Sequence, residues 1–105
     1  QLAAHIEALA SKNETYTMYH YRDRDKREID FLIESSDGAL LGVEVKSGSA
    51  VSKDSFKHLE WFKANIAKDK GFIGVIFYTG DQLASFGENM WAVPMSVLWV
   101  PDQFV

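Results

Sequence analysis

The chain reads as a mixed α/β domain, and three observations point that way. Short alternating segments near the N-terminus give way to one amphipathic stretch over residues 52–67. A near-continuous apolar run, "FIGVIFYTG", follows it. The "SSDG" and "DRDKR" stretches between the early segments carry turn chemistry. The implied order is α-β-β-β-α-β-β-α, an antiparallel meander with a helical crossover into a central strand.

Each element has its own signal. Leu2, Ile6, Leu9 and Ala10 fall at helical spacing, so residues 1–11 read as a helix that ends at Lys12-Asn13-Glu14. Tyr-rich residues 16–22 alternate like a strand. Residues 27–34 form the next strand, with Ile29, Phe31 and Ile33 on one face and Glu28, Asp30 and Leu32 on the other. Residues 39–47 form the third: Leu41, Val43 and Val45 face one way, Leu40, Gly42, Glu44 and Lys46 the other. Ser52 suits an N-cap for a helix to about Ala67, with Phe56, Leu59, Trp61, Phe62 and Ile66 as its apolar stripe. The run after Gly71 fits a strand buried on both faces. Residues 80–89 are a loop, "MWAV" a short strand, and Pro94 opens a helical turn through Leu98.

At 105 residues the chain is expected to be one domain, and 47% apolar residues suffice for one modest core. The opening residues resemble a helix already under way, which suggests the C-terminal fragment of a longer protein. There is no Cys, so thiolate metal sites and disulfides are excluded. No apolar run approaches the roughly 18 residues of a membrane span, and a cytoplasmic setting is expected. The net charge of −4 argues against a strongly basic nucleic-acid binder. Basic residues are nevertheless grouped at Arg22, Arg24 and Arg27 and at Lys53 and Lys57, where they could meet a phosphate backbone. His5, His20 and His58 are too scattered for a zinc site, and no phosphate-loop motif is present. Trp61, Trp91 and Trp99 suit core or interface anchors better than base-stacking platforms.

The chemistry concentrates in "EIDFLIESSDGALLGVEVK", residues 28–46. Register decides whether its carboxylates meet, because side chains alternate. A two-residue Asp37-Gly38 loop would set Asp30 opposite Val45 and send the carboxylates to opposite faces. A three-residue Ser36-Asp37-Gly38 loop pairs Ser35 with Ala39, Asp30 with Glu44 and Glu28 with Lys46. The second register also matches apolar face to apolar face and is preferred. Opposed carboxylates repel unless a cation lies between them. Asp30, Glu44 and the Val45 carbonyl could hold Mg²⁺, or Mn²⁺, with Lys46 acting on the attacking water or the transition state. The same residues also fit a solvated face with a Glu28–Lys46 salt bridge.

Asp30 in "IDF", a hairpin, then "VEVK" resembles the PD-(D/E)xK signature of restriction-endonuclease-like domains. The stretches "YHYRDRDKREIDFLIESSDGALLGVEVKSG" and "GFIGVIFYTGDQLASFGENMWAVPMSVLW" resemble the C-terminal domain of unknown function found behind the ATPase module of prokaryotic AAA-type ATPases. The resemblance covers nearly the whole chain. It implies a restriction-endonuclease-like core with Asp30, Glu44 and Lys46 as catalytic positions, acting in metal-dependent phosphodiester hydrolysis or DNA binding beside an ATPase domain. Ile29 stands where the motif has Pro. The acid such folds draw from their first helix has no clear counterpart; Glu7 is the candidate, or the residue lies upstream of Gln1. A degenerate site without metal, serving as a docking domain for the ATPase or a partner, is the competing expectation.

Overall fold

In the computed structural model of the chain, residues 4–12 and 16–96 are described. Four strands form an antiparallel meander: β1 (Ala4–Lys12), β2 (Tyr16–Asp23), β3 (Glu28–Ser35) and β4 (Leu40–Val45). A helical crossover over residues 53–67 leads to β5 (Phe72–Tyr78), which lies parallel to β4. The two-residue β6 (Ala84–Ser85) and then β7 (Met90–Pro94) complete the sheet, β7 parallel to β5 and β6 antiparallel on the edge. The order is β1-β2-β3-β4-β5-β7-β6, seven strands among the described residues. The mixed α/β class therefore holds, and a helical crossover into β5 is present, but the elements run β-β-β-β-α-β-β-β rather than α-β-β-β-α-β-β-α.

The first segment is a strand and not the expected helix. Its register with β2 runs from Ala4↔Asp23 to Ala8↔Tyr19. Ala4, Ile6, Ala8 and Ala10 also alternate, so the same residues satisfy either period; pairing to a Tyr-rich neighbour settles it. At the other end, Pro94 belongs to β7. Met95 and Ser96 begin a turn, and the rest of the expected helical turn lies outside the described residues.

The crossover starts after Ser52, whose backbone is extended and whose N–H donates to Ser55 Oγ at 3.1 Å. It opens as a 3₁₀ turn (Lys53–Phe56), continues as helix α1 (Lys57–Phe62) and widens into a π turn (Lys63–Ala67). Phe56, Leu59 and Phe62 point into the core, as expected. The wide turn, closed by the Lys68 N–H on the Lys63 carbonyl, then moves the stripe by one residue. Ala67 is buried in place of Ile66, which is 42% exposed.

The helix sits directly on the sheet because two strand positions have no side chain. A Cβ on Gly42 would lie 2.8 Å from Leu59 Cδ2 and 2.9 Å from Phe72 Cζ; one on Gly74 would lie 2.5 Å from Met90 Sδ. Phe62 packs edge-on against Tyr21, with ring centroids 5.0 Å apart, and tilted against Phe72 at 5.6 Å. Each fully buried apolar side chain here contributes about 1.5–3 kcal/mol.

The sheet's other face is different. β5 was expected to be buried on both sides, yet its burial alternates: Phe72, Gly74, Ile76 and Tyr78 face the helix, while Ile73 is 45% exposed. On that open side Met18 of β2, Phe31 and Ile33 of β3, Leu41, Val43 and Val45 of β4 and Phe77 of β5 line an apolar cleft. Among the described residues, no helix is long and apolar enough to cross a membrane.

Candidate functional site

The 28–46 hairpin has the three-residue loop. Ser35 N–H donates to the Ala39 carbonyl and Gly38 N–H to the Ser35 carbonyl, both at 3.0 Å. Gly38 takes φ of 93°, the left-handed conformation such a loop requires. Asp37 braces the turn by accepting from the Ser35 hydroxyl and from Ala39 N–H, and the Ser35 bond holds its carboxyl below the usual range. The ladder pairs Phe31↔Val43, Leu32↔Gly42, Ile33↔Leu41 and Glu34↔Leu40. As far as this ladder runs, the register is the one preferred from the sequence; it stops at Phe31↔Val43, one step short of Asp30 and Glu44.

One detail of β3 departs from simple alternation. Tyr19 pairs with Leu32 but Tyr21 pairs with Ile29, so β3 carries one extra residue opposite His20. This bulge turns Ile29 into the core with Leu32, at 0% and 2% exposure, and leaves Phe31 and Ile33 on the open face. The expected grouping of Ile29 with Phe31 and Ile33 therefore fails at Ile29. The bulge also places Asp30 where its Oδ2 accepts the Val45 N–H at 2.8 Å. Val45 thus holds Asp30 through its backbone nitrogen, while its side chain is 50% exposed.

Glu44 lies at the centre of the charges. Its Oε2 is buried without a hydrogen-bond partner among the described residues. Burial pushes its carboxyl up to about 7; the negative charges of Asp30 and Glu28 add to this, and Lys46 pulls the other way. All four charged groups therefore act on one point at the end of β4. Lys46 is exposed, and its backbone N–H donates to the Phe77 carbonyl at 2.8 Å, which fixes that end of β4 to β5.

Two histidines join the site that spacing alone did not reveal. His20 Nε2 lies 3.5 Å from Glu28 Oε2, and its Nδ1 lies 3.4 Å from the Asp30 carbonyl oxygen. His58 Nδ1 accepts the Glu28 N–H at 3.4 Å. Glu28 thus pairs with His20, and the expected Glu28–Lys46 bridge is not formed. The β2–β3 turn was the available signal, since pairing Arg22 with Glu28 already brings His20 beside Asp30. Glu7 lies in β1 opposite His20 in the backbone register, and not on a helix.

The basic candidates divide into two groups. Arg27 is committed to structure: its Nη1 donates to Asp23 Oδ2 at 2.9 Å and to Asp25 Oδ2 at 3.2 Å, and its guanidinium lies 3.9 Å over the Trp61 ring. Asp23 also accepts from Tyr21 OH and from the Asp25 and Arg27 N–H groups. Burial pulls the Asp23 carboxyl up, but the bonds from Arg27 outweigh it and hold the carboxyl low. Burial, with the bond to Asp23, pushes Tyr21 to about 12. Arg22, Arg24, Lys53 and Lys57 are exposed. Trp91 is 39% exposed, and Trp99 lies outside the described residues.

Whether these groups suit a metal depends on their donors. Among the described residues, no three His, Cys, Asp or Glu side chains are gathered closely enough to hold an ion by themselves. The orphaned Glu44 oxygen beside Asp30 nevertheless offers two hard carboxylate donors. That set fits Mg²⁺, which commonly takes one or two carboxylates and keeps water or phosphate oxygens in its other positions.

The strands, helix and carboxylate pair define a mixed α/β domain with a charged cluster at the end of a central strand. The chain belongs to the family described as a domain of unknown function (DUF4143), whose sequence profile matches residues 2–98. No curated protein and no solved structure matches it.

Proposed function

We propose that this chain is a PD-(D/E)xK nuclease-like domain of a AAA-type ATPase, cutting or binding DNA in the cytoplasm. The observation that carries the reading is the buried, unpartnered Glu44 oxygen, on a carboxyl that feels the charge of Asp30, with Lys46 two residues on. A carboxylate so placed is costly unless a cation or proton meets it. The antiparallel β2-β3-β4 meander, the crossover and the parallel β5 support a restriction-endonuclease-like core.

In this reading Asp30 and Glu44 would hold Mg²⁺, which would supply a water of lowered pKa and neutralise phosphate charge. Val45 keeps Asp30 in place through its N–H. Lys46 orients the attacking water, or stabilises the pentavalent transition state. Arg22, Arg24, Lys53 and Lys57 contact the DNA backbone. Cleavage of plasmid DNA with Mg²⁺ or Mn²⁺ tests this. Asp30→Ala and Glu44→Ala should lose both metal and cleavage, and Lys46→Ala cleavage alone. Wild-type protein that binds metal and DNA yet never cuts would leave a DNA-binding role only.

A second reading has one observation in its favour. The open apolar face would suit a catalytically inactive domain that docks on the ATPase module or a partner protein.

A further inference from the structure

We infer that His58 is a phosphate-binding residue of the candidate site, donating its Nε2 hydrogen to an oxygen of the DNA backbone. The inference rests on the nuclease-like reading and adds a residue outside the Asp30, Glu44 and Lys46 set. Two histidines flank Glu28, and they differ in what they have left to offer. His20 is committed on both ring nitrogens: Nε2 lies 3.5 Å from Glu28 Oε2, and Nδ1 lies 3.4 Å from the Asp30 carbonyl oxygen. His58 is committed on one, since its Nδ1 accepts the Glu28 N–H at 3.4 Å. A nitrogen that accepts carries no hydrogen, so in the neutral ring the hydrogen sits on Nε2. Nε2 points away from β3, and among the described residues it has no partner. The backbone of β3 thus fixes both the tautomer and the direction of a single N–H donor.

The fold sets this donor on the carboxylates' side of the sheet. Gly42 and Glu44 share a face of β4, because side chains alternate. Leu59, the residue after His58, packs on Gly42, where a Cβ would lie 2.8 Å from Leu59 Cδ2. The helix therefore lies over the face that carries Glu44. Glu28, which His58 holds, is one of the charges that act on Glu44. On its other side His58 follows the exposed Lys57, with the exposed Lys53 one turn earlier. His58 is half-buried, so its ring is braced while one edge reaches solvent. A fixed N–H donor next to two lysines suits an anionic oxygen, and a phosphate of a strand held by those lysines supplies one.

Two substitutions separate this role from simple support of β3. His58→Asn keeps an acceptor near the Nδ1 position and loses the Nε2 donor. His58→Gln keeps an amide donor near the Nε2 position and loses the Nδ1 acceptor. Titration of a labelled DNA duplex at one fixed salt concentration, with thermal melts of the same proteins, reads both. His58→Asn should melt like the wild type and bind the duplex about tenfold more weakly, the loss of one hydrogen bond to a charged group. His58→Gln should melt lower and bind close to the wild type. A wild type that binds the duplex, with His58→Asn its equal, would overturn the inference and leave the nuclease-like reading standing. A wild type that binds no duplex would overturn the inference too, and its uptake of Mn²⁺ would then decide the metal site separately.

Discussion

Val45 donates its backbone N–H to Asp30 Oδ2 at 2.8 Å, across the two strands that carry the candidate site. A strand N–H that would otherwise face the ladder holds a carboxylate beside the buried end of Glu44. The bulge in β3 makes this possible by re-aiming Asp30 without moving Phe31 or Ile33 from the open face.

Glu44 should titrate near 7 in the metal-free protein, and its neighbours should move it in opposite directions. Asp30→Asn removes a repelling charge while keeping an acceptor for Val45, so the Glu44 midpoint should fall. Lys46→Ala removes the attracting charge, so the midpoint should rise. Carboxyl carbon shifts followed by NMR through a pH series check both directions.

The same raised value makes Glu44 a pH-dependent liability. Its folded value of about 7 exceeds its ordinary 4.5, so the folded state binds the extra proton. Stability should then fall as pH rises from 4.5 to 7, and the full penalty should persist above 7. Glu44→Gln should be the more stable protein at pH 8, by on the order of 1–2 kcal/mol after solvent screening, and no better at pH 4. Thermal melts at the two pH values measure it, and Mg²⁺ at pH 8 should close the gap.

Gly42→Ala tests how closely the helix sits on the sheet. The new methyl would lie 2.8 Å from Leu59 and 2.9 Å from Phe72, both deep in the core. A loss of about 1–3 kcal/mol in urea unfolding is expected, the usual range for overpacking. Ser36→Ala, on the exposed hairpin loop, should change little.

Arg27 and its neighbours Arg22 and Arg24 should separate by phenotype. Arg27→Ala removes two ion pairs and the contact with Trp61, and should lower the melting temperature. Arg22→Ala and Arg24→Ala should leave stability nearly unchanged and weaken DNA binding, more so at low salt. Melting curves and DNA titrations on the three variants make the comparison.

The hairpin register was legible because "SSDG" offers one residue suited to the left-handed position and because only one loop length matches the apolar faces. Asp30, Glu44 and Lys46 could be grouped on that basis. The bulge was not legible, since a single extra residue leaves the run from Ile29 to Ile33 looking regular. Ile6 and Leu9 fit both a helix and a strand, and only a neighbouring strand distinguishes them. The exchange of Ile66 for Ala67 depends on a π turn, which propensity does not announce. His20 entered the site through pairing in space, and its chain position says little about Asp30. The apolar run of β5 suggested two buried faces, whereas the described residues cover one.

Mn²⁺ titration by calorimetry at pH 8, on the wild type and on Glu44→Gln, tests the central claim most directly. We expect saturable binding to the wild type that is lost in Glu44→Gln and in Asp30→Asn but kept in Lys46→Ala. A wild type that takes up no Mn²⁺, or a Glu44→Gln protein that binds it equally well, would contradict the metal site and the nuclease reading with it.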